Sequence, residues 1–327
     1  MNDLEKRYEN CIECGKCTES CLFLKKYNIN LKDYARMPEL AYHCFLCGKC
    51  RRECPVDIDG RQISLDLRKQ QLKQGYRLRR NGYGLLLAEK QNFIFKNYRH
   101  VNSKVVLFPG CNFPAYYPKS IKALSLLLAK QFGISTVYDC CGKPISELGL
   151  SNDDKTITDR LNKRFQKLGI EEIIVVCPNC YYHFKTGLGV KVSSIYQKLK
   201  ELQIPVNEDI VDISVFMPCP DRETHELLDV VSEFVPSGQM KIVQGIQCCG
   251  AGGCAAVKEP EIVCQLGDQF QSQASKTIHT YCATCSGMIA KFDVDTEHIL
   301  SRLLNIDERP AKGRASLLNR IKYKWSR

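Results

Sequence analysis

No run of about 18 apolar residues occurs anywhere in this chain of 327 residues, so no membrane-spanning helix is expected. The opening "MNDLEKRYEN" is charged and lacks the apolar stretch of a signal peptide, which makes a cytoplasmic protein the expectation. A nucleic-acid partner is not expected either. Although the formal net charge is +11, no recognisable module gathers basic and aromatic residues together. The glycine-rich "CCGAGGC" is not a G-x-G-x-x-G opening a helix after a strand, so the chain offers no flavin or nicotinamide site of its own.

Cysteine is abundant, with twenty in the chain. Disulfides seldom persist in a reducing compartment, whereas thiolate ligation of iron or zinc does, so metal binding is the leading reading. At 44% hydrophobic residues the chain buries a core without metal as its only staple. The metal is therefore read as functional. A four-thiolate cubane carries roughly −2 overall, so part of the positive balance compensates the ligands.

Residues 11–21 read "CIECGKCTESC" and residues 44–55 read "CFLCGKCRRECP". Each is the C-x2-C-x2-C-x3-C run of bacterial ferredoxins, in which three cysteines hold one [4Fe-4S] cubane and the fourth crosses to the other. That rule puts Cys11, Cys14, Cys17 and Cys54 on one cubane, and Cys44, Cys47, Cys50 and Cys21 on the second. Zinc ribbons also use C-x2-C pairs, but zinc leaves the third and fourth cysteine of each run unexplained. One departure is Leu22 after the first run, where Pro55 follows the second. The spacing of Ile63, Leu65, Leu67 and Leu72 is helical, which predicts a helical ferredoxin-like domain over residues 1–100. Lys69, Lys73, Arg77, Arg79 and Arg80 read as a solvated helix face, with a docking surface for an acidic electron donor as the other reading.

From residue 101 the chain repeats itself. Cys111, the pair Cys140 and Cys141, and Cys177 with Cys180 recur as Cys219, the pair Cys248 and Cys249, and Cys282 with Cys285; 28 residues separate single cysteine from pair in both copies. The period exceeds that of small solenoids and reads as a duplicated domain, 101–206 and 207–308. "KVVLF" and "DISVF" are β-rich runs leading to the single cysteine, and "EEIIVV" and "KTIHTY" lead to the C-x2-C. "SIKALSLLLAKQFG" and "THELLDVVSEF" are helical, so the fold class is α/β with parallel βαβ units. Open α/β sheets place ligands at the carboxyl ends of strands, where these cysteines fall. Five thiolates exceed the four of an ordinary cubane. Adjacent thiols direct sulfur to different irons, and Gly142 and Gly250 give the backbone room for close approach. A conventional cubane with one spare cysteine stays open on spacing alone.

The pattern C-x28-CCG-x35-C-x2-C with C-x28-CCG-x32-C-x2-C resembles the CCG-domain iron-sulfur family. Its members include heterodisulfide reductase catalytic subunits and iron-sulfur subunits of glycolate oxidase, lactate-utilisation systems and anaerobic glycerol-3-phosphate dehydrogenase. With the ferredoxin part in front, the chain is similar to a fusion of the ferredoxin-type and catalytic subunits of heterodisulfide reductase. The resemblance implies a noncubane [4Fe-4S] cluster on Cys111, Cys140, Cys141, Cys177 and Cys180. A second is implied on Cys219, Cys248, Cys249, Cys282 and Cys285, with a substrate disulfide between the two. Relatives often carry His after the single cysteine, whereas Pro220 follows Cys219. His225 is near in sequence and reads as an ordinary surface or core histidine. Cys254 and Cys264 are left over and read as small buried apolar residues.

The expected function is a heterodisulfide reductase-like oxidoreductase in a hetero-oligomeric complex of anaerobic metabolism. A flavoprotein or ferredoxin would feed electrons through two cubanes to two noncubane clusters. The alternative is an electron-transfer subunit of a flavin-dependent dehydrogenase that delivers electrons to a quinone or another carrier. Its support is the basic tail 309–327, in which Leu317, Leu318, Ile321 and Trp325 share a face and Arg320, Lys322, Lys324 and Arg327 lie elsewhere. That pattern suits an interfacial helix on the cytoplasmic face of a membrane; a docking or frayed segment is the other reading.

Overall fold

The structure is a computed structural model and describes residues 6–273 and 276–325. Arg327, counted above with the basic tail, lies outside the described residues. The chain forms two compact units. One comprises residues up to Ala88 together with Pro144–Asp154 and Gly245–Gln269; the other comprises Glu89–Lys143, Lys155–Gln244 and Phe270 onward.

The second of these units holds two four-stranded sheets built alike. In the first sheet β1 (Val105–Phe108), β2 (Ser135–Thr136), β3 (Glu172–Val175) and β4 (Lys191–Ser194) lie in the order β2-β1-β3-β4. In the other, β5 (Ile213–Val215), β6 (Met240–Ile242), β7 (Ile278–Thr280) and β8 (Thr296–His298) lie in the order β6-β5-β7-β8. Every pairing is parallel, with Val106 opposite Ser135 on one side and Ile173 on the other. Continuous apolar β-branched runs suit strands covered on both faces, and Ile173 and Ile174 are fully buried. The helix Pro118–Phe132 carries Ile121, Leu124 and Leu128 on its buried side, at i, i+3 and i+7. Pro118 presets its first turn, and Gly133 ends it in the left-handed conformation at φ 65°.

This arrangement decides where the cysteines go. In the order β2-β1-β3-β4 the chain leaves β1 toward one side and returns for β3 on the other, so the topological switch lies between β1 and β3. Cys111 follows the carboxyl end of β1 and Cys177 that of β3. The same relation holds for Cys219 after β5 and Cys282 after β7.

The other unit is helical, and no strand occurs among its described residues. Its longest element within the first 88 residues, Gly60–Lys73, is capped by Asp59, whose carboxylate accepts the Arg61 backbone N–H at 2.8 Å. The buried face is Ile63, Ser64, Leu67 and Arg68, while Leu65 and Leu72 are half-buried. That departs from the apolar spacing read in sequence. The inward face runs as the i, i+4 pairs 63/67 and 64/68, one of which is polar, because its neighbours are backbone carbonyls as well as side chains.

Candidate metal centre

In both ferredoxin runs the glycine of C-x2-C-G-K-C takes a left-handed conformation, Gly15 at φ 75° and Gly48 at φ 72°, and caps a short helix. The turn places the third cysteine of each run, Cys17 and Cys50, on the buried side of that helix. Cys11, Cys14, Cys17 and Cys54 line one pocket, walled by Ile12, Val56 and Ile58. Cys14 is exposed and Cys11 half-buried, so this pocket reaches the surface. The backbone N–H of Ile58 points at the Cys54 sulfur, 3.4 Å away.

The sulfurs of Cys21, Cys44, Cys47 and Cys50 gather a second time, deeper in the unit. Burial pushes the Cys21 and Cys50 thiols up, and the neighbouring sulfurs push them further; Cys44 is raised to about 11 by burial and by Cys47. A group of thiolates in this position repels itself unless a cationic core neutralises it, as iron does. Packing leaves no slack: a Cβ on Gly60 would stand 2.6 Å from the Cys50 sulfur. Donors surround the sulfurs too. Leu46 N lies 3.4 Å from Cys44 Sγ, and Gln247 Nε2 lies 3.5 Å from Cys47 Sγ and 3.7 Å from Cys21 Sγ.

In the sheet-bearing unit the five cysteines of the first repeat form one hydrogen-bonded chain of sulfurs, Cys111 to Cys140, Cys140 to Cys141, Cys141 to Cys180 and Cys180 to Cys177. The adjacent pair titrates in opposite directions. The bond with Cys111 pulls Cys140 down, but the bond with Cys141 and burial outweigh it and push Cys140 up to about 12. Hydrogen bonds from Cys140 and Cys180 pull Cys141 down, so thiolate character concentrates there. Asp139, just before the pair, accepts the Cys140 N–H at 2.7 Å and the Tyr98 hydroxyl at 2.9 Å. Lys90 is buried beside this set, its ammonium 5.0 Å from the Phe93 ring centroid. Burial lowers its pKa, but the Glu89 carboxylate and any thiolate charge on Cys111 and Cys140 outweigh burial and raise it above its ordinary value.

In the second repeat, Cys219, Cys282 and Cys285 lie in this same unit, and Cys248 and Cys249 belong to the helical one. Cys282 caps the helix Ala283–Ile289 as Cys177 caps Pro178–Phe184. Gly142 and Gly250, which follow the two pairs, both have positive φ, 91° and 79°. No disulfide joins any of the twenty cysteines. Among the described residues no three His, Cys, Asp or Glu side chains converge on the space of a single ion. A [4Fe-4S] cluster takes one thiolate per iron and spreads its ligands around a core instead.

Three residues escaped the reading of the sequence. Arg68 is fully buried and clasps four carbonyls: Ala41 O at 2.8 Å, Cys44 O at 2.9 Å, Gly253 O at 2.8 Å, and Glu147 O. Glu259 is buried and accepts from Lys26 at 2.8 Å, Tyr27 at 2.9 Å and the His43 ring at 2.6 Å. Burial pushes its carboxyl up, but these bonds prevail and hold it below the usual range. Gln247 is the third. One expectation needs correction. Cys264 is exposed and Cys254 half-exposed, so neither is a buried apolar filler. The tail is not frayed: Arg314–Trp325 is a helix held by Asn319 to Ala115 O at 2.9 Å, Arg320 to Asn112 at 2.8 Å and Tyr323 to Pro118 O at 2.7 Å. Its docking side is polar, which leaves Leu317, Leu318, Ile321 and Trp325 exposed. His225 is exposed, as its surface reading required.

Thiols gathered at strand ends and in ferredoxin-type loops define an iron-sulfur protein. Comparison with known families agrees: residues 10–59 match the 4Fe-4S dicluster domain, and residues 105–185 and 215–290 each match the cysteine-rich CCG domain. The chain thus joins a region that matches the 4Fe-4S dicluster domain to two regions that match the CCG domain. It is 24% identical to one of the subunits of the CoM/CoB fumarate reductase of Methanothermobacter marburgensis, over 86% of this chain and 67% of that protein. It is also 24% identical to an iron-sulfur protein of Methanococcus maripaludis, over 85% of this chain and 66% of the other. The chain spans about two thirds of the length of these relatives. An aspartate racemase homologue from Pyrococcus horikoshii aligns with 62% of this chain and 96% of its own at a TM-score of 0.31 and 13% identity, a likeness too distant to carry an argument.

Proposed function

We propose that the protein is the thiol-disulfide subunit of a multi-subunit oxidoreductase, taking electrons from a flavoprotein or ferredoxin and reducing the disulfide of small thiol cofactors. The observation that carries this reading is the linked set of five sulfurs at the switch point between β1 and β3, repeated in sequence around β5 and β7 and preceded by two ferredoxin runs. The relative from Methanothermobacter bears CoM/CoB in its name, which directs the proposal to that class of thiols.

In this reading Cys11, Cys14, Cys17 and Cys54 hold one cubane, and Cys21, Cys44, Cys47 and Cys50 the other. Two noncubane clusters are held by Cys111, Cys140, Cys141, Cys177 and Cys180, and by Cys219, Cys248, Cys249, Cys282 and Cys285. The clusters supply electrons one at a time, and cleavage of RS–SR′ takes two electrons and two protons to give RSH and R′SH. The exposed Cys11–Cys14 edge faces the donor. Lys90 holds positive charge against the first set. Gly142 and Gly250 keep the backbone beside each pair free of side chains.

The test is metal analysis joined to turnover. Anaerobically purified protein should contain about 16 irons, four per cluster, and its reduced form should be reoxidised by a thiol-cofactor disulfide. Iron near eight per chain with cubane signals alone would remove the noncubane pair. Full iron without reaction toward a panel of such disulfides would leave an electron conduit serving a dehydrogenase, the reading that the exposed apolar side of the tail helix favours.

A further inference from the structure

We propose that Gln247 sets the reduction potential of the cluster held by Cys21, Cys44, Cys47 and Cys50. The inference rests on the proposed function only in taking those four cysteines as cluster ligands. Gln247 is 4% exposed, and each end of its side-chain amide has a distinct task. The Nε2 group lies 3.5 Å from Cys47 Sγ and 3.7 Å from Cys21 Sγ, within reach of one N–H each. The Oε1 atom accepts the backbone N–H of Leu22 at 2.7 Å, which fixes the orientation of the amide. Cys47 of the second ferredoxin run and Cys21 of the first thereby receive donors from outside both runs.

Comparison of the two repeats argues that the role is specific. Asp139 and Gln247 hold equivalent positions, each directly before its cysteine pair. Asp139 turns to the backbone N–H of Cys140 and to Tyr98, whereas Gln247 reaches two ferredoxin cysteines. The loop that follows Gln247 is pinned to the same run. Cβ atoms on Gly252 and Gly253 would each stand 2.4 Å from a carbonyl oxygen, that of Phe45 and that of Cys44, so the two backbones touch where only glycine fits. Arg68 binds the Cys44 and Gly253 carbonyls together. The amide is thus held rigidly against the sulfurs and does not sample them.

Hydrogen bonds to ligating sulfur stabilise the more negative, reduced cluster and raise its potential. Replacing the donors should lower it. Potentiometric titration followed by electron paramagnetic resonance, on the intact iron-loaded chain, reads the two cubanes separately. In Gln247→Met, one cubane should move to lower potential while the other stays in place. Gln247→Glu, which keeps the acceptor for Leu22 but sets a carboxylate against the sulfurs, should move it further. Gln247→Lys, which restores N–H donors, should reverse the direction. Unchanged midpoints at full iron content would overturn the proposal, and so would equal shifts of both cubanes. Loss of one cubane in the methionine and glutamate variants but not in the lysine variant supports the donor role. Its loss in all three would reduce Gln247 to packing and overturn tuning. None of these readouts needs a disulfide substrate, so failure of the proposed reaction leaves this result legible, and the converse also holds.

Discussion

Asn179, on the helix that follows the first C-x2-C cysteine, points its Nδ2 at the sulfur of Cys282 from the second repeat, 3.7 Å away. Cys177 bonds the same sulfur. The two C-x2-C runs therefore face each other within one unit, although about a hundred residues of chain lie between them. Asn179→Leu keeps the γ-branched shape and removes the donor. It should alter the spectroscopic signature assigned to the second five-cysteine set and leave both cubane signals intact. An unaltered spectrum would mean that the contact is only packing.

Arg68 supplies a second test. Its guanidinium satisfies four carbonyls in three separated segments of the helical unit, and it lies over the Tyr42 ring at 5.0 Å. Arg68→Met strands those carbonyls in a buried place, where each orphan costs about 1–3 kcal/mol. We expect at least about 3 kcal/mol of lost stability in anaerobic urea unfolding, with early release of iron from the second ferredoxin run. Arg68→Lys should recover only part, because an ammonium cannot fork toward four acceptors. A loss below about 1 kcal/mol would show that water replaces the guanidinium.

Arg68 also marks how far the sequence was legible. Ligand spacing is local, so the ferredoxin runs, the duplication and the strand-to-cysteine order could all be read from residues a few positions apart. β1, β3, β5 and β7 were visible because they are continuous β-branched runs. Their partners β2, β4, β6 and β8 read ST, KVSS, MKI and TEH, in which polar and charged residues break up any apolar run. Arg68, Gln247 and Glu259 act on residues 24 to 233 positions away, and nothing in their neighbours announces a partner. Arg68 had one faint signal, its place one turn after Ser64 on the inward side of a helix. The tail misled for a related reason: a helical wheel shows which residues are apolar, not which face meets a neighbour.

A pH dependence follows from His298. Its ring sits edge-on to Phe113 at 4.8 Å and Tyr117 at 5.3 Å, and burial pushes its pKa down to about 3 from an ordinary value of 6.5. The folded chain keeps this imidazole neutral while the unfolded chain protonates it, so the unfolded state binds the extra proton between those values. The contribution to stability is therefore complete above pH 6.5 and declines as pH falls toward 3, by up to about 1.4 kcal/mol per pH unit. His298→Asn, which keeps a capping acceptor for Leu300, should flatten that slope by about one proton in unfolding titrations from pH 7 to pH 5. Parallel slopes in the two proteins would place the pH sensitivity elsewhere.

The tail helix decides between a membrane-associated conduit and a free complex. No described helix is long and apolar enough to cross a membrane, but Leu317, Leu318, Ile321 and Trp325 are 46, 56, 40 and 59% exposed on a helix whose other side is occupied by Asn319 and Tyr323. An apolar stripe beside Lys322 and Lys324 has the composition of an interfacial anchor, in which hydrophobic insertion and attraction to anionic lipid add together. Deleting the tail would be a poor test, because it would also strip the partners of Ala115, Asn112 and Pro118. Leu317→Glu with Leu318→Glu leaves those bonds, and the Arg99 guanidinium over the Trp325 ring, alone and changes only the exposed side. If the stripe meets lipid, the intact protein should cosediment with anionic vesicles, added salt should weaken that binding, and the double variant should remain in the supernatant with full iron content. An intact protein that never sediments would withdraw the support this helix gives to a quinone-linked conduit.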